Sequence, residues 1–374
     1  MNHQFSLFDL LILIGIIQGI ITGILLLYSK NNKRSNKYLA LALFSFCFLN
    51  TKTLLHTLNL WDTNTFRYFP NGFELILPPL FYFYIKSLVN PKFSFKKIDW
   101  LHFIPFFLSQ MYAFMVYFCV IQTKDFSEKD AIAENLNFNF VKQLDEYLLL
   151  ISLILYLFYG YKELKHYKNW LNNTTSDSTF PDFGWLKDIF RLFICMGIFL
   201  ITNHSLDIFF NLRNTTLVHW NLLILFITAL IYYLGLKGYL QPDFSFVRSE
   251  KNTNKNEIAL SFSKGEEMKI KLLKAMNEEK LFLNPKLTIK ELSSHLQVTQ
   301  REISAFINNY FELSFREFIN NYRVEEVKSK LKDSDFSHMS ILGIALECGF
   351  NSEASFYRVF KKKTGKSPKE YIQQ

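Results

Sequence analysis

The amino-acid sequence predicts an all-α protein in which a polytopic bundle of about seven transmembrane helices precedes a soluble helical domain. Two observations carry this prediction. Apolar runs of about 20 residues, the length a helix needs to cross a bilayer, recur up to residue 240. After a polar stretch, the remaining sequence shows helical periodicity with repeated helix-start signals. We therefore expect a transmembrane bundle at 1–240, a polar linker at 241–264 and a soluble domain at 265–374.

The apolar runs place the spans at 7–28, 38–58, 73–88, 100–121, 146–161, 189–210 and 218–236. The first run is too long for a signal peptide and lacks a small-residue cleavage site, so it is expected to be retained. The loops after the first, third and fifth spans are rich in Lys and Arg, whereas the alternate loops are acidic or poor in basic residues. Because cytoplasmic loops carry the basic excess, this predicts a multi-pass protein of the inner (cytoplasmic) membrane, with the N-terminus outside and the C-terminal domain in the cytoplasm.

Composition narrows the function classes. The net charge of +9 fits anionic partners, either phospholipid head groups or nucleic acid, and charge alone does not decide between them. The four cysteines are scattered without a CxxC spacing, which predicts buried, reduced thiols. No HExxH, GxSxG or paired Cys–His spacing occurs. We therefore expect a protein that is not an enzyme and uses neither a cofactor nor a metal.

Ionisable residues within spans are costly and mark function by default. His204 and Asp207 lie three residues apart on one helical face of the sixth span, which makes them candidates for contact with a ligand or for a pH-responsive pair. The alternative interpretation is that such groups, near the end of a span, reach water or satisfy a neighbouring helix.

The soluble domain begins its helices with capping boxes, in which a Ser or Thr and a Glu three residues later satisfy each other's backbone amides. The sequence has four such pairs: Thr288 with Glu291, Thr299 with Glu302, Ser314 with Glu317, and Ser367 with Glu370. The helix before them, within 265–283, is expected to bury Ile270, Leu273 and Met276.

With these starts, residues 288–310 and 340–365 each predict a helix, a turn and a second helix, on either side of one long helix at 314–331. Gly349 occupies the turn of the second unit, where positive φ is needed. The first unit has Gln297 at its turn, where Gly or a small polar residue is more comfortable, so we expect the turn to be strained by about 1 kcal/mol.

The second helix of such a unit lies in the major groove, with its outward side chains at base edges and phosphates. The candidate DNA-binding residues of the first unit are Gln300, Arg301, Ser304, Ala305 and Asn308. Those of the second unit are Ser352, Glu353, Ser355, Arg358, Lys361 and Lys362. Arg358 is suited to bidentate contact with guanine, and the lysines are suited to phosphates.

The motif IALECGFNSEASFYRVFKKKTGKSPKEY, preceded by FINNYRVEEVKSKL, resembles the AraC-type transcription regulators over residues 266–371. The resemblance implies two helix-turn-helix units joined by a long helix, with both recognition helices entering successive major grooves on one face of the duplex. It also implies that Arg301, Ser304, Glu353, Ser355 and Arg358 match positions that read or flank bases. The chain departs from the family at Glu312, where the family often has Gly, and this departure is part of the strain expected in the first unit. The resemblance does not extend to the spans.

Together these features favour a membrane-embedded one-component transcription regulator. The expected partners are double-stranded DNA, the lipid bilayer and a small-molecule or membrane signal, with a homodimer as one arrangement. The alternative is a membrane transporter or receptor whose helical tail is a protein-interaction or regulatory module. Salt separates the two, because phosphate contacts make affinity fall steeply with ionic strength.

Overall fold

The computed structural model describes residues 6–29, 33–90, 93–176, 183–210, 212, 218–241 and 262–372. Within these ranges the regular elements are helices, apart from one isolated antiparallel bridge between Thr175 and Thr288. The first eight α-helices are α1 (Leu7–Tyr28), α2 (Lys33–Thr57), α3 (Leu77–Val89), α4 (Ile104–Val120), α5 (Phe126–Asn135), α6 (Phe138–Thr174), α7 (Gly184–Phe210) and α8 (Val218–Tyr239). The others are α9 (Phe262–Asn277), α10 (Ile289–Leu296), α11 (Gln300–Tyr310), α12 (Phe315–Lys332), α13 (Ile341–Glu347), α14 (Glu353–Thr364) and α15 (Pro368–Ile372). The all-α fold class is confirmed.

The chain divides into two compact units. The first contains Met1–Leu164 and Phe183–Ser249, and the second contains Lys165–Asp182 and Glu250–Gln374. Helix α6 therefore contributes to both units, although the sequence-based domain limits assign all of it to the membrane region. Most of the predicted polar linker, 242–261, lies outside the described residues.

Six helices among the described residues are long and apolar enough to cross a membrane, one fewer than the seven expected. They are Leu7–Tyr28, Arg34–Thr57, Lys97–Val120, Phe138–Thr174, Gly184–Phe210 and Val218–Tyr239. The difference is the run at 73–88, which forms the 3₁₀ turn Glu74–Ile76 followed by α3, a helix of only 13 residues. Nearly all side chains of α3 are buried, so its apolar composition reflects protein packing around it.

Helices α1, α2 and α8 approach one another closely at a row of glycines on α1. A Cβ added at Gly19 would overlap Cys47 of α2 and Ile231 of α8, and one added at Gly23 would overlap Phe44. Small residues four apart let helix backbones come together in apolar bundles, where packing replaces the hydrophobic driving force. Cys47 is buried here as expected, whereas Cys119 and Cys195 are exposed, contrary to the expectation that all four thiols are buried.

The second unit has two hydrophobic cores that share α12. The N-terminal half of α12 contributes Phe315, Phe318 and Ile319 to a core with α9, α10 and α11. Its C-terminal half contributes Val324 and Val327 to a core with α13 and α14. One continuous helix therefore joins two small helix-turn-helix cores, as the sequence predicts.

Helix α9 packs on the first of these cores in a different register from the expected one. Met268, Leu272, Ala275 and Met276 are buried, whereas the side chain of Ile270 is 65% exposed. The expectation that Ile270 is buried was wrong.

Candidate nucleic-acid interface

All four predicted capping boxes are formed, and all lie in the second compact unit. In the box that opens α10, the Thr288 hydroxyl accepts from the Glu291 amide at 3.2 Å and the Glu291 carboxylate accepts from the Thr288 amide at 2.9 Å. The pairs at α11, α12 and α15 repeat this arrangement. Each box satisfies amides that the helix itself leaves without an acceptor, so the starts of these helices are fixed locally.

The turn of the first helix-turn-helix unit depends on a left-handed residue that is not glycine. Gln297 has φ 55° and closes α10, and Glu312, after α11, has φ 54°. Both positions were predicted from the sequence to be strained, and both adopt the left-handed region. A side chain with a Cβ pays roughly 1–2 kcal/mol in this conformation.

Helix α11 buries Ile303, Phe306 and Ile307 and turns its opposite face outward. The predicted contact residues lie on that outward face: Gln300, Arg301 and Asn308 are exposed, and Ser304 and Ala305 are partly exposed. The Asn308 amide donates to the Ser304 hydroxyl at 3.4 Å, one turn away. The face therefore offers a guanidinium near the helix start and an amide–hydroxyl pair behind it.

The second helix-turn-helix unit makes its turn at Gly349, which has the predicted positive φ, 88°. The amide of Phe350 donates to the carbonyl of Ala345 at 3.1 Å, which closes the end of α13. Ser352 then caps α14, its hydroxyl accepting from the Ser355 amide at 3.4 Å. The Ser352 side chain is thus engaged in starting the helix.

Helix α14 buries Phe356 and Phe360 and exposes Glu353, Arg358, Lys361 and Lys362. The prediction that Ser355 faces outward was wrong, because the residue is only 4% exposed. Ser355 lies directly before Phe356 in the first turn, where the helix packs onto the domain. Ser355 therefore lacks the outward position from which its DNA contact was predicted.

Lys362 already has a partner in this structure. Its ammonium lies 2.9 Å from a Glu317 carboxylate oxygen, which links α14 to the first turn of α12. The pKa of Glu317 is lowered, first by the hydrogen bond from Lys362 and then by its bonds with Ser314. Both side chains remain substantially exposed, so this pair is a weak link that a phosphate could replace.

Counting from the caps Thr299 and Ser352 places the two recognition helices in register. Arg301 then corresponds to Ala354, and Ala305 corresponds to Arg358. Each unit therefore presents one arginine on the same helical face, but at a different turn of its helix.

Sequence reasoning missed two residues of this face on α14. Ala354 is exposed and Tyr357 is partly exposed, in the positions equivalent to Arg301 and Ser304. Alignment of the two capped starts is the signal that could have found them.

The two candidate sensing residues, His204 and Asp207, lie in the first compact unit, Met1–Leu164 with Phe183–Ser249, and contact different side chains. Asp207 is 2.9 Å from Nε2 of His219 and accepts from the Trp220 indole at 3.0 Å. His204 lies 3.5 Å from a Glu146 carboxylate oxygen, and its ring is edge-on to Trp220 with centroids 5.6 Å apart. The two candidates thus converge on Trp220, at the C-terminal part of α7 and the start of α8.

Comparison with known proteins supports the helix-turn-helix assignment. A family model described as a helix-turn-helix domain matches residues 292–374. The melibiose operon regulatory protein of Escherichia coli is 33% identical over 85 residues, which are 23% of this chain and 27% of the relative. An HTH-type transcriptional regulator of Staphylococcus aureus is 34% identical over 91 residues, 24% of this chain and 12% of the relative.

The chain therefore matches less than a third of the length of these relatives, and the shared part lies in the C-terminal domain. No solved structure matches.

Proposed function

We propose that this protein, whose C-terminal region is an AraC-type helix-turn-helix domain, is a membrane-embedded one-component transcription regulator. The observation that carries the proposal is the pair of capped helices α11 and α14, each with a buried apolar face and an outward face bearing one arginine. A polar, basic helix face on a capped start is what a duplex major groove admits.

Both recognition helices supply groups that read bases, and α14 also supplies groups that bind phosphates. Arg301 and Arg358 are the base readers, since a guanidinium can bond both acceptors of a guanine edge. Gln300, Ser304, Ala305 and Asn308 surround Arg301, and Glu353 precedes Arg358 on its own helix. Lys361 and Lys362 bind DNA phosphates. Ser352, as the cap of α14, directs the start of this helix toward the sugar–phosphate backbone of the DNA.

The membrane role is supported by apolar side chains that are exposed on the surface of the first compact unit. Ile14, Phe118 and Ile154 are 52%, 66% and 65% exposed, on three different helices of spanning length. Soluble proteins rarely expose many large apolar side chains together, whereas lipid tails solvate such side chains favourably. The bundle would accordingly lie in the cytoplasmic membrane.

The topology proposed for the bundle keeps seven crossings. The segment Glu74–Val89 would cross as a short, mostly buried element that begins with a 3₁₀ turn, because irregular backbone is tolerated at membrane depth where protein surrounds it. The basic loops after the first, third and fifth crossings then lie inside, the N-terminus outside and the helix-turn-helix domain in the cytoplasm.

His204 and Asp207, with Glu146, His219 and Trp220, form the proposed input site for a small-molecule or membrane signal. The cluster combines carboxylates, imidazoles and an indole from the N-terminal third of α6, the C-terminal part of α7 and the start of α8. Polar groups of this kind within apolar helices are the usual means of binding a ligand in a bundle.

The proposal is tested with the full-length chain in lipid nanodiscs, used to select duplexes from a random-sequence DNA pool. We expect enrichment of a defined sequence whose binding falls steeply as salt is raised. The double variant R301A/R358A should bind the pool without enriching any sequence. If the wild-type chain enriches nothing, or its binding is insensitive to salt, DNA recognition is not its function.

A further inference from the structure

Arg323, in the middle of α12, is a buried charge held by the surrounding backbone. It is 1% exposed, and it donates to the carbonyl of Phe282 at 2.8 Å and to that of Asn284 at 2.7 Å. A guanidinium taken out of water is costly unless its donors are satisfied, so every acceptor around it matters for the position of α12.

Two of these acceptors come from a distant part of the chain. Arg323 donates to the backbone carbonyl of Ser176 at 3.3 Å and to its hydroxyl at 3.0 Å. Ser176 is itself fully buried, and its hydroxyl donates to the carbonyl of Leu287 at 2.7 Å. The serine therefore bridges Arg323 to the residue just before the cap of α10.

Thr175 extends the contact. It forms the antiparallel bridge with Thr288, the cap of α10, and its carbonyl accepts from Arg316 of α12 at 3.1 Å. Thr175 is 3% exposed. Both residues directly follow α6, a continuous helix that begins at Phe138 and contributes to both units.

The contact lies at the junction of the two helix-turn-helix units. A Cβ added at Gly349, in the turn of the second unit, would lie 2.5 Å from the Phe282 carbonyl and 2.9 Å from Nε of Arg323. The same guanidinium therefore touches Ser176, the 3₁₀ turn Leu281–Leu283 and the second turn. Any change in its partners bears on how the two units are held together.

We propose that the Thr175–Ser176 segment is a built-in ligand of the helix-turn-helix domain, docked on Arg323, which holds the two recognition helices in a fixed relation. Through it, a displacement of α6 would change DNA binding; this consequence rests on the proposed function. The docked segment contacts Leu287, Thr288, Arg316 and Arg323, which are not among the proposed base readers. Docking therefore preorganises the domain for DNA and does not cover its reading faces.

The docked contact is tested by a disulfide between T175C and T288C in the full-length chain in nanodiscs. Residues opposite each other in an antiparallel pair have Cα atoms about 4.5–5.5 Å apart, within the range a disulfide spans. The exposed thiols are removed by C119S and C195S; Cys348 can stay, because burial raises its pKa to about 12 and keeps it unreactive.

We expect this pair to be cross-linked after mild oxidation, as seen by mass spectrometry of the joined peptides. The control pair T175C/T299C, which uses the exposed cap of α11, should stay reduced. Equal cross-linking of both pairs, or of neither, would overturn the docking whatever the protein does with DNA.

The coupling is tested by S176K, which places a cation too large for the site beside Arg323. Its control, N172K, adds the same charge at an exposed position one turn earlier. If undocking leaves about a tenth of the molecules competent, affinity for the selected duplex falls about tenfold in S176K and is unchanged in N172K. The cross-linked T175C/T288C protein should bind the duplex at least as tightly as its own reduced form, which lacks the same Thr288 cap.

The outcomes separate the two proposals. Cross-linking without DNA binding by any form of the protein would contradict the proposed function and leave the docking in place. Cross-linking with equal affinity of S176K and wild type would show that the contact does not control DNA binding.

Discussion

The two helix-turn-helix units have the same pattern but are stabilised differently. The first begins both helices with full capping boxes and makes its turn with Gln297, a strained residue. The second caps α13 and α14 with single serines and makes its turn with Gly349, against the Phe282 carbonyl and Arg323. The first unit is thus specified by local hydrogen bonds, and the second by a close tertiary contact that tolerates no side chain.

The largest expected effect follows from that contact. G349A should destabilise the helix-turn-helix domain by about 3 kcal/mol, because the new methyl group is both strained at positive φ and overlapped by backbone. G365A is the matched control, since Gly365 also has positive φ but nothing lies within 4 Å of its Cβ position. It should cost about 1 kcal/mol. Denaturant unfolding of the full-length chain measures both, and equal losses would refute the contact-based account of the second turn.

Arg301 and Arg358 should each contribute to the preference of the protein for particular base pairs in its DNA site. R358A and R301A should each lose about 1–3 kcal/mol of preference, but at different base positions, because the two arginines lie on helices that are proposed to enter separate grooves, each at a different turn of its helix. Competition binding with single-base duplex variants measures the preference at each position. Loss at the same position in both variants would mean that the two helices do not read separate grooves.

The strained turn of the first unit can be relieved. Q297G should raise the free energy of unfolding by up to about 1 kcal/mol, since glycine adopts the left-handed conformation without the Cβ penalty. A305G, in the middle of α11, is the control and should be destabilising by about 1 kcal/mol, the cost of glycine relative to alanine in a helix interior. A loss of stability in Q297G, measured by the same unfolding experiment, would show that the Gln297 side chain contributes more than its backbone strain costs.

The smallest effect concerns the pair that joins the units, Glu317 and Lys362. E317Q keeps the capping box but removes the charge, so stability should fall by at most about 0.5 kcal/mol near neutral pH. Because the folded pKa of Glu317 is lowered, its contribution is present above the unfolded pKa of about 4.3 and is lost as the pH falls through the folded value. Wild type and E317Q should therefore converge in acid.

In DNA binding, K362A should weaken all sequences alike and reduce the salt slope by about 1. A slope equal to that of wild type would remove Lys362 from the phosphate contacts.

Features encoded by neighbouring residues were predictable from the sequence. The capping boxes, the positive φ at Gly349 and Gln297, and the outward face of α11 all depend on residues within one or two turns, and they hold in the structure. The serial order of two short units around one long helix followed from the same local signals.

Features that depend on distant packing were not predictable. Ser355 was expected to be exposed but is buried, and Ile270 was expected to be buried but is exposed. The burial of these two residues depends on how α14 and α9 pack onto the rest of the domain. The run at 73–88 is as apolar as a span, yet folds into a short, buried helix. The docking of Ser176 joins residues 147 positions apart, and no local pattern marks it.

Hydroxyl-radical footprinting of the selected duplex, bound to the full-length chain in nanodiscs, tests the central claim that both units read DNA together. Recognition helices in successive major grooves on one face predict two protected segments about 10 base pairs apart, with R301A and R358A each weakening a different one. A single protected segment, or a footprint unchanged in either variant, would contradict reading by two units.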